Sequence, residues 1–308
     1  VYFDYPQSEP MRLVAEMCES LGIASGRIVA DADGSPPRNG YDGPALSDVV
    51  PGDVVVEDHV TDMREVKSDD EIDLIREASR WANLGHSVLA EKIEVGRYPT
   101  IVCQEAQAEA GKAMLDTLDS SYEPTDRSPP ISCRFTTGES TVEPHTNDET
   151  DTVQPGDNVV TVVASEIGGY LTELERTMIV GDPSDEQRQY FEIMKESQEI
   201  AFDAIGAGVP YAHVEDAVVD YYEEQGVNEY TQHHVGHNIG LEGHERPFLD
   251  RGYDGELRAG ELYTVEPGIY VPGVGGFRHS DTVLVTEDGI EQLTYYPRGI
   301  DDLTVRLS

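Results

Sequence analysis

Residues 169–177, Gly-Tyr-Leu-Thr-Glu-Leu-Glu-Arg-Thr, alternate apolar and ionisable side chains, a pattern that predicts a β-strand. Side chains repeat with a period of two along a strand, so Glu173 and Glu175 are expected on the same face. Two neighbouring carboxylates in a closed pocket must share a cation, bind a metal ion or hold a proton between them. Two negative charges without such a partner repel each other there and have lost their hydration, which costs free energy. On an open surface they would form only a solvated acidic edge.

The chain is strongly acidic, with a formal net charge of -40 over 308 residues. Such a charge is self-repulsive at low salt and tolerable when salt screens it, which predicts a halophilic protein of a salt-rich cytoplasm. A protein that binds nucleic acids or anionic membranes needs a basic surface, so neither is expected as a partner of this acidic chain. The sequence shows no apolar run long enough for a membrane span, and a signal peptide is not expected. The cysteines lack metal-ligand spacing and fit a reducing, cytoplasmic compartment: Cys18, Cys103 and Cys133.

Helix and strand signals alternate without a repeated βαβ rhythm, which predicts an α+β fold. Residues 1–62 are expected to form a small, truncated α/β N-terminal domain, and residues 63–308 a second domain. Capping residues predict helices that begin at 68–70 and at 184–187, the second running to about 205. The other expected elements are helices at 101–118 and 211–224 and strands at 131–136, 158–164, 169–180, 261–270 and 281–286.

Histidines gather in the C-terminal half, near turns where side chains are available for chemistry: His145, His233, His234, His237, His244 and His279. Such a density predicts that some of them act chemically, although any single one could be structural. Glu266 ends an apolar strand before Pro-Gly, so its carboxylate is expected to be paired or to face a cavity. Arg278 precedes another apolar strand and could neutralise a nearby carboxylate.

The order of four motifs resembles that of the pita-bread family, which includes prolidase, aminopeptidase P, methionine aminopeptidase and creatinase. The motifs are Arg-Glu-Val-Lys-Ser at 64–68, Gly-His-x-x-Gly at 236–240 with His-Glu-x-Pro at 244–247, Val-Glu-Pro-Gly at 265–268, and residues 278–285. The resemblance implies a pita-bread C-terminal domain of the α+β class. It also implies an N-terminal domain that helps to close the active site, a small-molecule substrate and a homodimer.

Metallopeptidases of this family hold two metal ions with two aspartates, one histidine and two glutamates. Carried over by position, these ligands fall on Val162, Glu173, His237, Glu266 and Ser280. Valine cannot bind a metal ion and serine is a poor replacement for a bridging carboxylate, so a standard two-metal site is not expected. The resemblance leaves one alternative, a single Mn, Co or Zn ion held by His237, Glu173 and Glu266.

The departures from the metallopeptidase pattern resemble creatinase, the metal-free member of the family. Its Ala-Leu-Glu-Arg-Thr segment is similar to residues 173–177, and His145 precedes Glu175 by the interval that separates creatinase's catalytic histidine and glutamate. This resemblance implies a site without a cofactor, in which Glu175 and Glu266 hold a cationic group and His145 acts as general base and then general acid. The substrate-binding residues it implies are His237, His244, Arg278 and Glu173.

The sequence leaves three functional hypotheses open. The leading one is a creatinase-like, metal-independent hydrolase of a C–N bond in a small amidine, guanidine or amide. The second is a divergent Xaa-Pro aminopeptidase or dipeptidase that uses one metal ion. The third is a catalytically silent, ligand-binding homologue. An arginine with which creatinase holds its substrate carboxylate would fall near Phe248, so the identity of the substrate is not carried over.

Overall fold

The structure, a computed structural model, describes residues 9–34, 43–118, 122, 125, 130–146 and 150–307. The chain divides into two compact units, Val1–Arg64 and Glu65–Ser308. Each unit contains both helices and strands, as the predicted α+β class requires. Within the described ranges, no helix combines the length and the apolar character needed to cross a membrane.

The first unit contains a two-stranded parallel sheet, β1 (Arg27–Ala30) and β2 (Asp53–Val56). Its helices are α1 (Pro10–Ser20) and α2 (Leu46–Val49), and α3 (His59–Glu65) runs to the boundary between the units. Pro10 fits the first turn of α1, because the N–H that proline lacks would have no partner inside the helix there. The apolar cluster of this unit is built around Ala15, Leu46 and Val50.

The strands of the second unit are β3 (Ile131–Thr137), β4 (Asn158–Ile167), β5 (Tyr170–Val180), β6 (Gly236–Asn238), β7 (Glu245–Leu249), β8 (Leu262–Val265), β9 (Gly268–Val271), β10 (Gly275–Arg278), β11 (Ser280–Thr286), β12 (Gly289–Gln292) and β13 (Thr304–Val305). Among the described residues, nine of these strands form one sheet in the order β3-β4-β5-β11-β8-β6-β7, with β12 beside β11 and β13 beside β5. Strands β9 and β10 pair separately as an antiparallel hairpin. The acidic segment of the sequence therefore lies in β5, between other strands of the sheet.

The long helices of the second unit are α4 (Asp69–Lys92), α5 (Pro99–Thr117), α6 (Asp185–Ala204) and α7 (Tyr211–Gln225). Ser68 precedes α4 and caps its N-terminus, where it forms a capping box with Glu71. At Gly85 an added Cβ would lie 2.8 Å from Cγ2 of Ile131, so the missing side chain allows α4 to lie close to β3. The apolar face of α4 is fully buried in the core: Ile75, Ala78, Ala82 and Leu89.

The strand expected over residues 261–270 is two strands in the structure. Strand β8 ends at Val265 and β9 begins at Gly268, on either side of Pro267. Proline has no N–H to donate to a neighbouring strand, so the hydrogen-bond ladder is interrupted there. Glu266 lies in this interruption, where its side chain is free to point away from the regular pleat of the sheet.

Helix α6 is closed at its N-terminus by a second capping box. The backbone N–H of Gln187 donates to Oγ of Ser184 at 3.1 Å, and that of Ser184 donates to Oε1 of Gln187 at 2.9 Å. Replacing Ser184 with alanine is expected to lower the free energy of unfolding by about 1 kcal/mol, because a helix N–H loses its partner. Threonine keeps the hydroxyl and is expected to retain most of the stability. Urea denaturation at high salt measures both variants, and an alanine variant as stable as the native protein would contradict the prediction.

Candidate active site

Strand β5 places its two glutamates on one face of the sheet. Leu174, between them, is fully buried in the core, whereas Glu173 is partly buried and Glu175 is 3% exposed. Glu175 lies directly opposite Val162 of β4 and opposite Ser280 of β11. The pair is therefore not a solvated acidic edge but part of an enclosed site.

Glu173 lies in a cluster with His237 of β6 and Glu266 at the end of β8. One ligand atom from each residue lies within 4.8 Å of the other two. Nδ1 of His237 lies 3.1 Å from the carbonyl of Asn238, to which it can donate. Nε2 of His237 is buried 3.1 Å from Oε1 of Glu266 but has no aligned hydrogen bond among the described residues. An imidazole nitrogen and two carboxylates are a suitable donor set for a divalent ion once the imidazole has lost its proton, so these residues fit one metal ion.

The charges in this cluster shift one another's ionisation. Burial raises the pKa of Glu173, and the charge of Glu266 raises it further. Burial acts in the same direction on Glu266, but His237 and Arg278 outweigh it and hold the pKa of that carboxyl well below its usual value. Burial would lower the pKa of His237, whereas Glu266 and Glu173 raise it to about 9. In the metal-free protein His237 is thus a cation that partly balances the two carboxylates.

The second glutamate of β5, Glu175, is bound to Arg278 of β10. Nε and Nη2 of the guanidinium donate to the two carboxylate oxygens, Nη2 at 2.9 Å. Nη1 donates to the hydroxyl of Tyr270 at 3.1 Å and to the carbonyl of Pro144 at 3.3 Å. Nε also lies 3.9 Å from Oε2 of Glu266. The sequence predicted that Glu175 holds a cationic substrate group, but in the structure Arg278 of the chain itself occupies both of its oxygens.

Ser280 and Val162 stand where the resemblance placed two further metal ligands. Oγ of Ser280 donates to Oε1 of Glu173 at 2.9 Å, so it orients that carboxylate. Val162 is partly buried and brings only a hydrocarbon side chain to this face. The described site therefore contains the donor set of one metal ion and lacks carboxylates at these two positions.

Further histidines surround His237. His244 is stacked on it with ring centroids 3.9 Å apart, and His234 lies edge-on to it at 6.0 Å. Burial lowers the pKa of His244 to about 4, so its ring is neutral at pH 7. His145 is an exposed residue between β3 and β4. The structure thus gathers His234, His237 and His244 around one site, and the place of His145 in it stays a prediction.

The other two histidines have different surroundings. Nε2 of His233 lies 2.7 Å from the hydroxyl of Tyr270, the residue that also contacts Arg278. His279 is fully buried and lies edge-on to Phe191, with ring centroids 5.2 Å apart. His279 therefore belongs to the protein interior rather than to the site.

Tyr270 is the site residue that the sequence analysis did not single out. Its hydroxyl joins His233 to Arg278. A signal was available in Gly268, because an added Cβ there would lie 2.8 Å from the hydroxyl of Tyr270.

The fold and the site together define an α+β protein whose sheet carries a buried Glu-His-Glu donor set for a divalent ion. The chain belongs to metallopeptidase family M24, whose profile matches residues 73–287. The pita-bread family and fold class predicted from the sequence are thereby confirmed, as is the enzyme class at the level of the family, hydrolases that act on C–N bonds.

Individual relatives agree with this assignment. The chain is similar to the Xaa-Pro dipeptidase of Pyrococcus furiosus, with 30% identity over 239 residues that cover 78% of this chain and 66% of that protein. It is also similar to the solved structure of the Xaa-Pro dipeptidase from Bacillus anthracis, with a TM-score of 0.80, 29% identity and coverage of 96% and 78% of the two chains. The prolidase from Pyrococcus horikoshii OT3 gives a TM-score of 0.78 and 27% identity, with coverage of 93% and 79%. The chain spans just under two thirds of the length of the curated Pyrococcus relatives.

The expectation of a site without a cofactor is wrong. The chain belongs to a family of metallopeptidases, and Glu173, His237 and Glu266 lie together as a donor set. The sequence argument gave too much weight to the two missing carboxylates, because the spacing of the three remaining ligands depends on strands that are distant in the chain. The relatives are dipeptidases and a prolidase, so they favour the Xaa-Pro peptidase hypothesis over the creatinase-like one.

Proposed function

We propose that this chain is a metal-dependent hydrolase that cleaves small Xaa-Pro peptides. The observation that carries the proposal is the cluster of Glu173, His237 and Glu266, whose ligand atoms lie within 4.8 Å of one another. The similarity to proteins named Xaa-Pro dipeptidase supports the choice of substrate class.

In this proposal Glu173, His237 and Glu266 hold one divalent ion. When bound, that ion supplies Lewis-acid polarisation of the scissile carbonyl. In the same proposal His145, an exposed residue, gives a proton to the leaving nitrogen. His244, neutral at pH 7 and stacked on His237, can exchange a hydrogen bond with the peptide group of the substrate.

An aromatic surface next to the histidines supports a substrate that contains proline. The rings of Phe248 and Tyr253 are stacked with centroids 5.3 Å apart, and Phe248 lies 4.8 Å from His234, edge-on. Ligand pockets use such aromatic faces to bind apolar groups, and a pyrrolidine ring is a compact apolar group. The resemblance to creatinase would put an arginine near this position, where this chain has Phe248, so the proposal does not require a free substrate carboxylate there.

The proposal is tested with protein purified at high salt, stripped of metal by a chelator and reloaded with Mn²⁺, Co²⁺ or Zn²⁺. Xaa-Pro dipeptides and tripeptides are expected to be cleaved only after reloading, and matched Xaa-Ala peptides are expected to be cleaved more slowly. Creatine and simple amidines serve as the comparison for creatinase-like chemistry. Peptide binding by the metal-loaded protein without cleavage of any substrate would identify a silent homologue and reject the proposal.

Metal affinity is expected to increase with pH. His237 has a pKa of about 9 in the metal-free protein, so near pH 7 it carries a proton that must leave before Nε2 can bind an ion. The apparent affinity is therefore expected to rise about tenfold per pH unit up to about pH 9 and then to level off. Competition with a metal-sensitive dye across this range measures the slope. An affinity that stays constant below pH 9 would contradict the assignment of His237 as a ligand.

The homodimer, the halophilic character and the cytoplasmic location stay predictions, as do the domain limits 1–62 and 63–308. They depend on charge and on resemblance rather than on the geometry of the site.

A further inference from the structure

Arg134 of β3 lies on the face of the sheet that carries the candidate active site. It is directly opposite Val162 of β4, and Val162 is directly opposite Glu175 of β5. Side chains of directly opposed residues lie on the same face of a sheet. The other face belongs to the apolar core, to which Cys133 and Leu174 contribute their side chains. Arg134 and Glu175 therefore face the same side, two strands apart.

The guanidinium of Arg134 is an available cation. The residue is exposed, and no salt bridge or hydrogen bond joins its side chain to any other residue that the structure describes. The whole chain has 61 acidic residues and 21 lysines and arginines, so carboxylates that could pair with an arginine are abundant. An arginine that stays without one beside the active site is available to bind an anionic group of a ligand.

A cavity of about 330 Å³ lies beside Arg134, where α5 packs next to β3. The described residues that line it are polar, apolar or sulfur-containing, and none of them is acidic. Gln107 of α5 is one of them, and its Oε1 accepts the backbone N–H of Cys133 at 2.8 Å. That bond leaves the NH₂ group of Gln107 as a donor for a ligand. One positive charge with neutral donors, and no lining carboxylate among these residues, is a suitable environment for a carboxylate ligand.

The same cavity reaches towards the metal-ligand cluster. Two of its lining residues, Ser132 and Ala164, are directly opposite each other, and Ala164 is directly opposite Glu173. Neighbouring strands are about 4.8 Å apart, so Ser132 lies roughly 10 Å from Glu173. An extended peptide spans about 3.4 Å per residue, so about three residues cover that distance. A second cavity, also lined by Arg134, extends to Tyr270 of the site.

We infer that Arg134 and the cavity beside it bind the C-terminal carboxylate of a peptide that has two or three residues after the scissile bond. The inference rests on the proposed peptide hydrolysis and specifies its substrates, since it favours tripeptides and tetrapeptides over dipeptides. Arg134 contacts the far end of the substrate in this scheme and not the reacting atoms. Its loss is therefore expected to change KM rather than kcat.

The test compares the free-acid and C-terminally amidated forms of Ala-Pro-Ala and Ala-Pro-Ala-Ala. The metal-loaded full chain is used in the lowest salt that keeps it folded, because salt screens exposed charges. Amidation is expected to raise KM about tenfold and to leave kcat unchanged, since a charge-assisted hydrogen bond is lost. Arg134→Gln is expected to raise KM for the free acids by a similar factor and to abolish the difference between the two forms.

Arg80→Gln is the matched control, because Arg80 is 77% exposed on a helix surface and its replacement changes the net charge equally. It is expected to keep the native difference between free-acid and amidated peptides. Arg134→Lys retains the positive charge and is expected to recover part of that difference. Arg134 is exposed and has no partner among the described residues, so its replacement is expected to leave the fold intact.

The outcomes separate this inference from the function on which it rests. Equal KM values for the two peptide forms in the native protein, or an unchanged difference in Arg134→Gln, would overturn the role of Arg134 and leave the hydrolase. Cleavage of neither form would reject the proposed hydrolysis itself. Calorimetric titration with the same peptides then decides on Arg134. The free acids must bind about tenfold more tightly to the native chain than to Arg134→Gln, and equal binding would overturn the inference.

Discussion

Replacing Glu266 with glutamine is expected to lower metal affinity and peptide hydrolysis by more than about 100-fold. Loss of a residue that only hydrogen-bonds to a metal ligand costs about 10–100-fold, and loss of a ligand itself is expected to cost more. Glu266 is 8% exposed, and its Oε1 lies 3.1 Å from Nε2 of His237. Glutamine has nearly the same size, so the packing at the break between β8 and β9 is kept. The amide, however, carries no charge and is a weaker ligand for a hard divalent ion.

The measurements are the metal content after dialysis and kcat/KM for an Xaa-Pro dipeptide. Glu256→Gln is a matched control, because Glu256 is an exposed carboxylate of the same unit and its replacement changes the net charge equally. The control is expected to behave as the native protein does. Unchanged metal content in Glu266→Gln would show that the ion, if present, is held elsewhere.

Replacing Arg176 with methionine is expected to lower the free energy of unfolding by about 3–5 kcal/mol, the cost of removing one partner from a buried ion pair. Arg176 and Asp281 have fully buried side chains, and Nη2 of Arg176 donates to Oδ1 of Asp281 at 2.8 Å. The remaining N–H groups of Arg176 donate to backbone carbonyls at 2.7–3.0 Å: those of Glu175, Ser280, Tyr296 and Pro297. Methionine fills similar space but leaves these carbonyls and Asp281 with fewer partners.

Chemical denaturation in molar salt measures this loss. Arg80→Met is the control on a helix surface, because Arg80 is 77% exposed and pairs only with Glu77 in the salt bridges described. Its replacement is expected to cost less than about 1 kcal/mol. The double variant Arg176→Met with Asp281→Leu is expected to regain part of the stability, since no unpaired charge remains. A single Arg176 variant as stable as the Arg80 variant would refute the prediction.

The alternation in β5 allowed local features of the site to be predicted from sequence. A period of two puts Glu173 and Glu175 on the same face in any strand, and the structure has them there. The capping residues Ser68 and Ser184 likewise marked the beginnings of α4 and α6. Such features depend on a few neighbouring residues, so the sequence is sufficient to predict them.

The partners of the two glutamates could not be predicted in the same way. Glu175 meets Arg278 and Glu173 meets Ser280 only because β5 lies beside β11, about a hundred residues later in the chain. The sequence analysis assigned Arg278 a neutralising role but could not choose the carboxylate it neutralises. The distance between His237 and Glu266 depends on the pairing of β6 with β8, which is also non-local. The wrong expectation of a cofactor-free site followed from this limit.

The backbone carbonyls that accept hydrogen bonds from Arg176 determine when this unit can finish folding during synthesis on the ribosome. Arg176 is made more than a hundred residues before Tyr296 and Pro297, whose carbonyls accept two of its hydrogen bonds. A nascent chain that buried this guanidinium earlier would leave charged donors without acceptors, at a cost of several kcal/mol. The central strands therefore cannot reach their final packing until residue 297 has left the exit tunnel, so this unit is expected to complete its folding late in translation.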